Sequence, residues 1–266
     1  MVTALADEIE AAYHAVRPLS PPSSRGTGFD LGTAYGVESE LARRRVDAGH
    51  HVVGRKVGFA NRAMWRILKL DALVWAHMYD DTVRHAPGNE ATLALRGKHS
   101  PRIEPEIVFK TAKALPSGVS DPTEVLRHVE WIALGFEIID CLYPDWKFQP
   151  VDFVAAYGLH AALIVGEPQR VTAETIATLA EQLPQFSVRL SKNGVLVEEG
   201  SGKNALRSPA LCLGELASVV RDQPLEAGEL VSTGTLTAAQ PLAAGDTWTA
   251  QVGGISLPAL ALHVTD

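Results

Sequence analysis

The chain of 266 residues reads as an α+β protein, helical at its start and β-rich with antiparallel or mixed strands afterwards. Three observations predict this. Apolar residues recur at helical spacing in two early segments, the later apolar runs are short and bounded by turn residues, and no regular strand–helix alternation links the two halves. We expect one domain over residues 1–266, with a helical portion over 1–50 and a β-rich core over 51–266.

The elements follow in order. Leu5, Ile9, Ala12 and Val16 predict a helix over 3–17, and Ala34, Val37, Leu41 and Val46 predict a second over 33–49. Pro18 to Gly28 is a Pro/Ser/Gly loop, unfit for helix or central strand. Gly49 closes the second helix, after which His51 to Phe59 reads as a strand. Helices are expected over 62–70 and, with Asp121-Pro122 near its start, over 123–134. Short strands are expected over 186–190, 195–198, 229–232, 247–252 and 255–262, with hairpins at Lys192-Asn-Gly194 and Val252-Gly-Gly254 and a last helix over 215–220.

Composition narrows the functional classes. Lys and Arg total 24 against 31 Asp and Glu, a formal net charge of −7, and the basic residues form no long block. No nucleic acid or anionic membrane is therefore expected as a partner. The most apolar window, Phe153 to Val165, is too short to span a bilayer. Two cysteines, Cys141 and Cys212, make neither a disulfide framework nor a multi-thiolate zinc site and suit a reducing compartment. The acidic start, Met1 to Glu10, argues against a secretory or transit peptide, and cytoplasm is the expected location.

Three carboxylates stand in apolar surroundings: Glu104 and Glu106 in Arg102-Ile-Glu-Pro-Glu-Ile-Val-Phe109, and Glu137 in Ala133-Leu-Gly-Phe-Glu-Ile-Ile139. On an extended chain Glu104 and Glu106 share a face, opposite Ile103, Pro105 and Ile107. Two like charges on one spot need compensation. One reading is a cup for Mg²⁺ or Mn²⁺, built of hard oxygen donors from two segments. The other is pairing with Arg102, Arg55 or a lysine at a solvated strand edge, where Pro105 would be tolerated.

Lys56 lies between Gly54 and Gly58, glycines of the kind that mark a close approach, and it either faces the carboxylates or snorkels at a strand end. Asp80-Asp81 follows the aromatic run Trp75 to Tyr79 and offers a general acid or base, or simply a turn. His77 and His160 stand out as histidines in apolar segments. Gly200-Ser-Gly-Lys-Asn204 lacks the first glycine and the Ser/Thr of a phosphate loop, and Gly26-Thr-Gly28 is followed by Leu31 where a dinucleotide fingerprint needs glycine.

In order, Gly54-Arg-Lys-Val-Gly58, Pro101-Arg-Ile-Glu-Pro-Glu-Ile107, the Glu137 segment, Asp145-Trp146 with Asp152, and Thr233-Gly-Thr-Leu-Thr237 before Ala244-Gly-Asp246 are similar to the 2-keto-4-pentenoate hydratase and 4-oxalocrotonate decarboxylase group of the fumarylacetoacetate hydrolase superfamily. The resemblance spans nearly the whole chain. It implies a β-rich mixed-sheet core with flanking helices, metal binding by Glu104, Glu106 and Glu137, Lys56 and Asp81 as proton carriers, and Asp80, His77, Thr233, Gly234 and Thr235 bordering the substrate. It further implies a Mg²⁺- or Mn²⁺-dependent hydratase of a 2-hydroxy-2,4-dienoate or 2-oxo-enoate in aromatic-compound catabolism, assembled as a homo-oligomer. Decarboxylation of a 2-oxo-enedioate and C–C hydrolysis of acylpyruvates are the alternatives, because all three pass through a metal-stabilised enolate.

The chain departs from the group's pattern at three places. Leu73-Val-Trp-Ala76 stands for Pro-Asp-Tyr/Phe-Gly, Ala155-Ala-Tyr-Gly158 for a Ser/Ala-Asp-Asn-Ala segment, and Ser208-Pro209 for a His-Pro pair. These positions border the substrate in the resemblance, so metal binding should survive while the substrate differs. His77, Tyr157 and His160 are the polar side chains available to replace the lost contacts.

Overall fold

The computed structural model describes residues 1–26 and 28–266. Seven helices are found among the described residues: α1 Val2–Ala15, α2 Leu31–Asp47, α3 Arg62–Leu68, α4 Pro122–Leu126, α5 Pro150–Ala155, α6 Ile176–Gln182 and α7 Pro209–Val219. The strands are β1 Val52–Gly58, β2 Val74–Tyr79, β3 Val83–His85, β4 Glu90–Ala94, β5 Pro101–Thr111, β6 Val129–Asp140, β7 His160–Val165, β8 Gln169–Arg170, β9 Ser187–Lys192, β10 Val195–Ser201, β11 Leu230–Ser232, β12 Gln240–Pro241, β13 Thr247–Gly253 and β14 Leu260–Thr265. They form one mixed sheet in the order β2-β1-β11-β5-β6-β7-β3, with β12 on β5 and β8 on β6, and a smaller sheet in the order β10-β9-β13-β14-β4. No helix among the described residues is long and apolar enough to cross a membrane.

The larger sheet has two chemically different faces. Ile103, Ile107, Phe109, Phe136 and Ile138 point to one side and join Val188, Leu190, Trp248, Leu260 and Leu262 of the smaller sheet in the main core. The other face carries the carboxylates. Over it, Leu5 and Ile9 of α1, Val37 and Leu41 of α2 and Phe153 and Val154 of α5 build a second apolar cluster that includes Val74 of β2. Asp30 caps α2 by accepting the Thr33 N–H.

Most early elements lie within two residues of their expected ends. The helix expected over 123–134 is a correction: α4 stops at Leu126, and residues 129–134 are the start of β6. A strand buried on both faces reads as a continuous apolar run, which periodicity cannot tell from a buried helix. The strand expected over 255–262 begins only at Leu260, since Pro258 has no N–H for a ladder. The last helix starts at Pro209 rather than 215, its first turns being apolar all round and so without a visible stripe. Asn193 and Gly194 both take positive φ, as the two-residue hairpin turn requires. Part of the Pro18 to Gly28 loop forms a 3-10 turn over Pro22–Arg25; Thr27 lies outside the described residues.

Candidate metal centre

The register of β5 and β6 assembles the cup. Glu104 stands directly opposite Glu137, and Glu106 opposite Gly135. Directly opposed like charges destabilise a sheet unless something else compensates them. Lys56 reaches the same face from β1, two strands away, through the registers Lys56 to Ser232 and Ser232 to Val108. Its Nζ lies 2.8 Å from Glu137 Oε2, and both side chains are almost wholly buried.

β5 is an interior strand, so the solvated-edge reading of Glu104 and Glu106 fails. Pro105 is accommodated because it falls in the gap between the β11 and β12 ladders, where only its carbonyl is engaged, by the Leu236 N–H. Arg55 pairs with Glu229 at 3.3 Å rather than with the cup.

Further side chains hold the cup in shape. Glu106 Oε2 accepts the Ser232 hydroxyl and, at 2.9 Å, the Gly234 N–H. Gly234 has φ +89°, and a Cβ there would sit 2.8 Å from Ala60 Cβ, so the turn that aims this N–H needs glycine. Glu137 Oε1 is 2.9 Å from His160 Nδ1, whose Nε2 is 3.0 Å from Thr82 Oγ1. Phe153 lies 4.8 Å beneath Lys56 Nζ and closes against Gly58, where a Cβ would meet its ring at 2.4 Å.

Ligand oxygens of Glu104, Glu106 and Glu137 lie within 4.8 Å of one another. Glu106 Oε1 is buried without a hydrogen-bond partner. Burial, with added repulsion from Glu137, raises Glu104 to about 7 against the pull of Lys56. Glu106, buried and repelled by Glu137 and Glu104, rises well above the carboxylate range. Burial opposes ionisation of Glu137 as well, yet Lys56 and His160 outweigh it and hold its pKa low. In Lys56 burial works against the charge, and the three glutamates overcome it and raise its pKa. A cluster of carboxylates short of positive charge, with an orphaned oxygen and only hard donors, suits a divalent cation of the Mg²⁺ or Mn²⁺ kind.

A cavity of about 280 Å³ opens onto this cluster, lined by Lys56, Glu104, Gly234 and Thr235 on one side and by Phe148 and Phe153 on the other. Arg102 stands on its wall, stacked 4.0 Å over Trp146 and without a carboxylate partner among the described residues.

Of the expected site residues, the structure brings together Lys56, Glu104, Glu106, Glu137, Gly234 and Thr235. Thr233 adjoins them, but its hydroxyl is bound to the Ile107 carbonyl at 2.9 Å. The other three lie elsewhere. Asp81 forms an ion pair with Arg45 and Asp80 lies 3.1 Å from His51, both at an exposed turn beyond the end of β2. The structure does not bring Asp80 and Asp81 to the cup: they follow Tyr79 at the end of β2, whereas Ala76 is the residue that pairs with Lys56, so distance along the strand separates them from the carboxylates. His77 is buried against Glu38, Nδ1 to Oε1 2.8 Å, in a separate cavity. Ser232, Arg102 and the aromatic wall were not anticipated as site residues; Ser232 meets Glu106 across 126 positions of sequence, and nothing local marks it.

Comparison with known proteins places the chain in a family. Residues 73–264 match the Fumarylacetoacetate (FAA) hydrolase C-terminal family. The chain is 26% identical over 252 residues to a 2-keto-4-pentenoate hydratase of Paraburkholderia xenovorans, covering 94% of this chain and 90% of the relative. It is 32% identical over 224 residues to a 4-oxalocrotonate decarboxylase of a Pseudomonas species, covering 82% and 83%. Its fold superimposes with a TM-score of 0.88 on the 4-oxalocrotonate decarboxylase of Pseudomonas putida complexed with magnesium and adipate, at 26% identity and over 99% and 97% of the two chains. With the family matched over most of its length and the carboxylate cup built by its own strands, this chain belongs to the fumarylacetoacetate hydrolase family.

Proposed function

We propose that the chain is a metal-dependent hydratase that adds water to a 2-hydroxy-2,4-dienoate or the derived 2-oxo-enoate, giving a 4-hydroxy-2-oxo acid in the catabolism of aromatic compounds. The observation that carries this reading is the buried trio Glu104, Glu106 and Glu137, with Glu106 Oε1 orphaned and Lys56 2.8 Å from Glu137. These three would hold Mg²⁺ or Mn²⁺. A bound divalent cation supplies Lewis-acid stabilisation of the enolate of a 2-oxo acid.

The chain's own groups do the rest. Lys56 keeps its proton at Nζ because three carboxylates surround it; with a cation in the cup that hold is relieved, and the ammonium can then protonate substrate carbon during ketonisation. Phe148 and Phe153 dry the cavity and thereby strengthen each charge interaction inside it. Ser232 and the Gly234 N–H keep Glu106 in place, so no reorganisation is needed when substrate arrives. The whole chain acts as one catalytic unit in this reading, in the cytoplasm. Exposed Val195, Leu196 and Val197 on edge strand β10 support assembly with further copies.

One observation favours a second reading. Arg102, on the cavity wall and unpaired, suits the distal carboxylate of a 2-oxo-enedioate, the substrate class of a decarboxylase. Incubating the Mg²⁺-loaded protein with a dienoate and with an enedioate, followed by product mass, separates the two. Gain of water on the dienoate supports the hydratase; loss of carbon dioxide from the enedioate with an unreacted dienoate overturns it.

A further inference from the structure

A second cavity, about 230 Å³, lies beyond Glu137 and shares no lining residue with the first. Its acids are already engaged. Glu10 is paired with Arg44 at 2.6 Å, and Asp140 accepts the His99 and Ser100 N–H groups at 2.9 and 2.8 Å and sits 3.2 Å from His99 Nδ1. Its donors are not. Lys98, half-buried on the wall, has no carboxylate within ion-pair distance among the described residues, and burial holds its pKa below the usual lysine range despite the help of Asp140. Tyr79 Oη and Arg45 Nε are buried without partners. His77 spends Nδ1 on Glu38, and its Nε2 makes no hydrogen bond among the described residues.

We propose that this cavity is a binding site for a small monocarboxylate, held by Lys98 with Tyr79 and His77, and that its occupancy is felt in the cup. One uncompensated ammonium balances one negative charge. A phosphate dianion would meet Glu10 and Asp140 with a charge to spare, so a carboxylate fits better. The volume suits an acid of a few carbons.

The partition between the cavities is one turn thick. Tyr157, Gly158 and Leu159 all adopt left-handed φ, 55°, 60° and 55°. Tyr157 lines the second cavity and Leu159 the first, while a Cβ on Gly158 would lie 2.8 Å from Lys56 Cδ. His160, the next residue, lines the second cavity and holds Glu137. A ligand pressing on Tyr157 or His160 therefore bears on Lys56 and Glu137. Such strained turns persist where the surrounding structure over-determines them.

Only the coupling rests on the metal-cup reading, and the test keeps the two apart. Butyrate, which cannot chelate through a 2-oxo group, is titrated calorimetrically into the folded full-length protein with Mg²⁺, alongside inorganic phosphate. Butyrate binding is expected in the wild type and in Glu106→Gln alike, weakened about 10- to 100-fold in Lys98→Met, the factor of one charge-assisted hydrogen bond, and less in Tyr79→Phe. Saturating butyrate is expected to shift the Mg²⁺ affinity of the wild type and not that of Lys98→Met. Absence of saturable binding, or binding lost in Glu106→Gln and kept in both Lys98→Met and Tyr79→Phe, overturns the site. Phosphate binding as tightly as butyrate overturns the carboxylate assignment, and an unmoved Mg²⁺ affinity overturns the coupling.

Discussion

Replacing Glu106 by Gln should strengthen the metal-free fold while removing the metal. Gln keeps the shape, and its Oε1 still accepts from Ser232 and the Gly234 N–H. Its Nε2 takes the place of the orphaned Oε1 and donates toward Glu104 and Glu137. At an effective dielectric near 20, two full charges no more than 4.8 Å apart repel by roughly 3 kcal/mol or more. Lys56 and partial protonation already relieve some of this, so the expected net gain is about 1–2 kcal/mol, or ~2–8 °C in Tm for a chain of this size. The gain should be largest near pH 9, where the wild-type carboxylates are most ionised, and should vanish near pH 5. Mg²⁺ affinity should fall by more than about 100-fold, beyond the loss seen when a partner outside the ligand set is removed. Thermal melts in EDTA and in excess Mg²⁺ read both effects. A metal-free Glu106→Gln protein melting below the wild type at high pH, or one still stabilised by Mg²⁺, would refute the reasoning.

Other expectations follow from the same cluster. Glu104 and Glu106 carry raised folded-state pKa values, so the stability they contribute is full below the ordinary carboxylate value of 4.5 and is lost as pH rises through about 7 for Glu104. Metal-free protein should therefore lose stability across that window, by about 1–3 kcal/mol because Glu104 keeps partial solvent contact, and Mg²⁺ should flatten the profile; a metal-free profile that rises over the same range contradicts this. His160→Ala frees Glu137 Oε1 and should weaken Mg²⁺ by about 10- to 100-fold with little change in substrate discrimination, checked by Mg²⁺ titration of activity. Asp81→Asn breaks an ion pair whose carboxylate side is 42% exposed, so stability should move by less than ~1 kcal/mol and kcat should stay within about twofold. A large kcat loss there would instead support Asp81 as a proton carrier.

The cup was legible because its information is local. Glu104 and Glu106 share a face by the two-residue period of a strand, and Glu137 announces itself as a charge in an apolar run. Two of the partners that shape it were not, because they arrive through the sheet order rather than along the chain: Ser232 from β11 and Phe153 from α5; His160 of β7 stood out as a histidine in an apolar run, but its bond to Glu137 did not. Residues 129–134 were misread for a related reason. A doubly buried strand loses the alternation that identifies strands, and only its pairing with β5 and β7 reveals it. Asp80 and Asp81 looked chemical because two acids follow an aromatic strand, but their side chains are satisfied by Arg45 and His51 at the surface.

Crystals soaked with Mn²⁺ in place of Mg²⁺ and measured at the manganese absorption edge test the central claim most directly. One anomalous peak is expected, at about 2.0–2.3 Å from an oxygen of each of Glu104, Glu106 and Glu137. Manganese bound only at the exposed His50, Asp80 and Asp81 group, with Lys56 closing the cup, would contradict it.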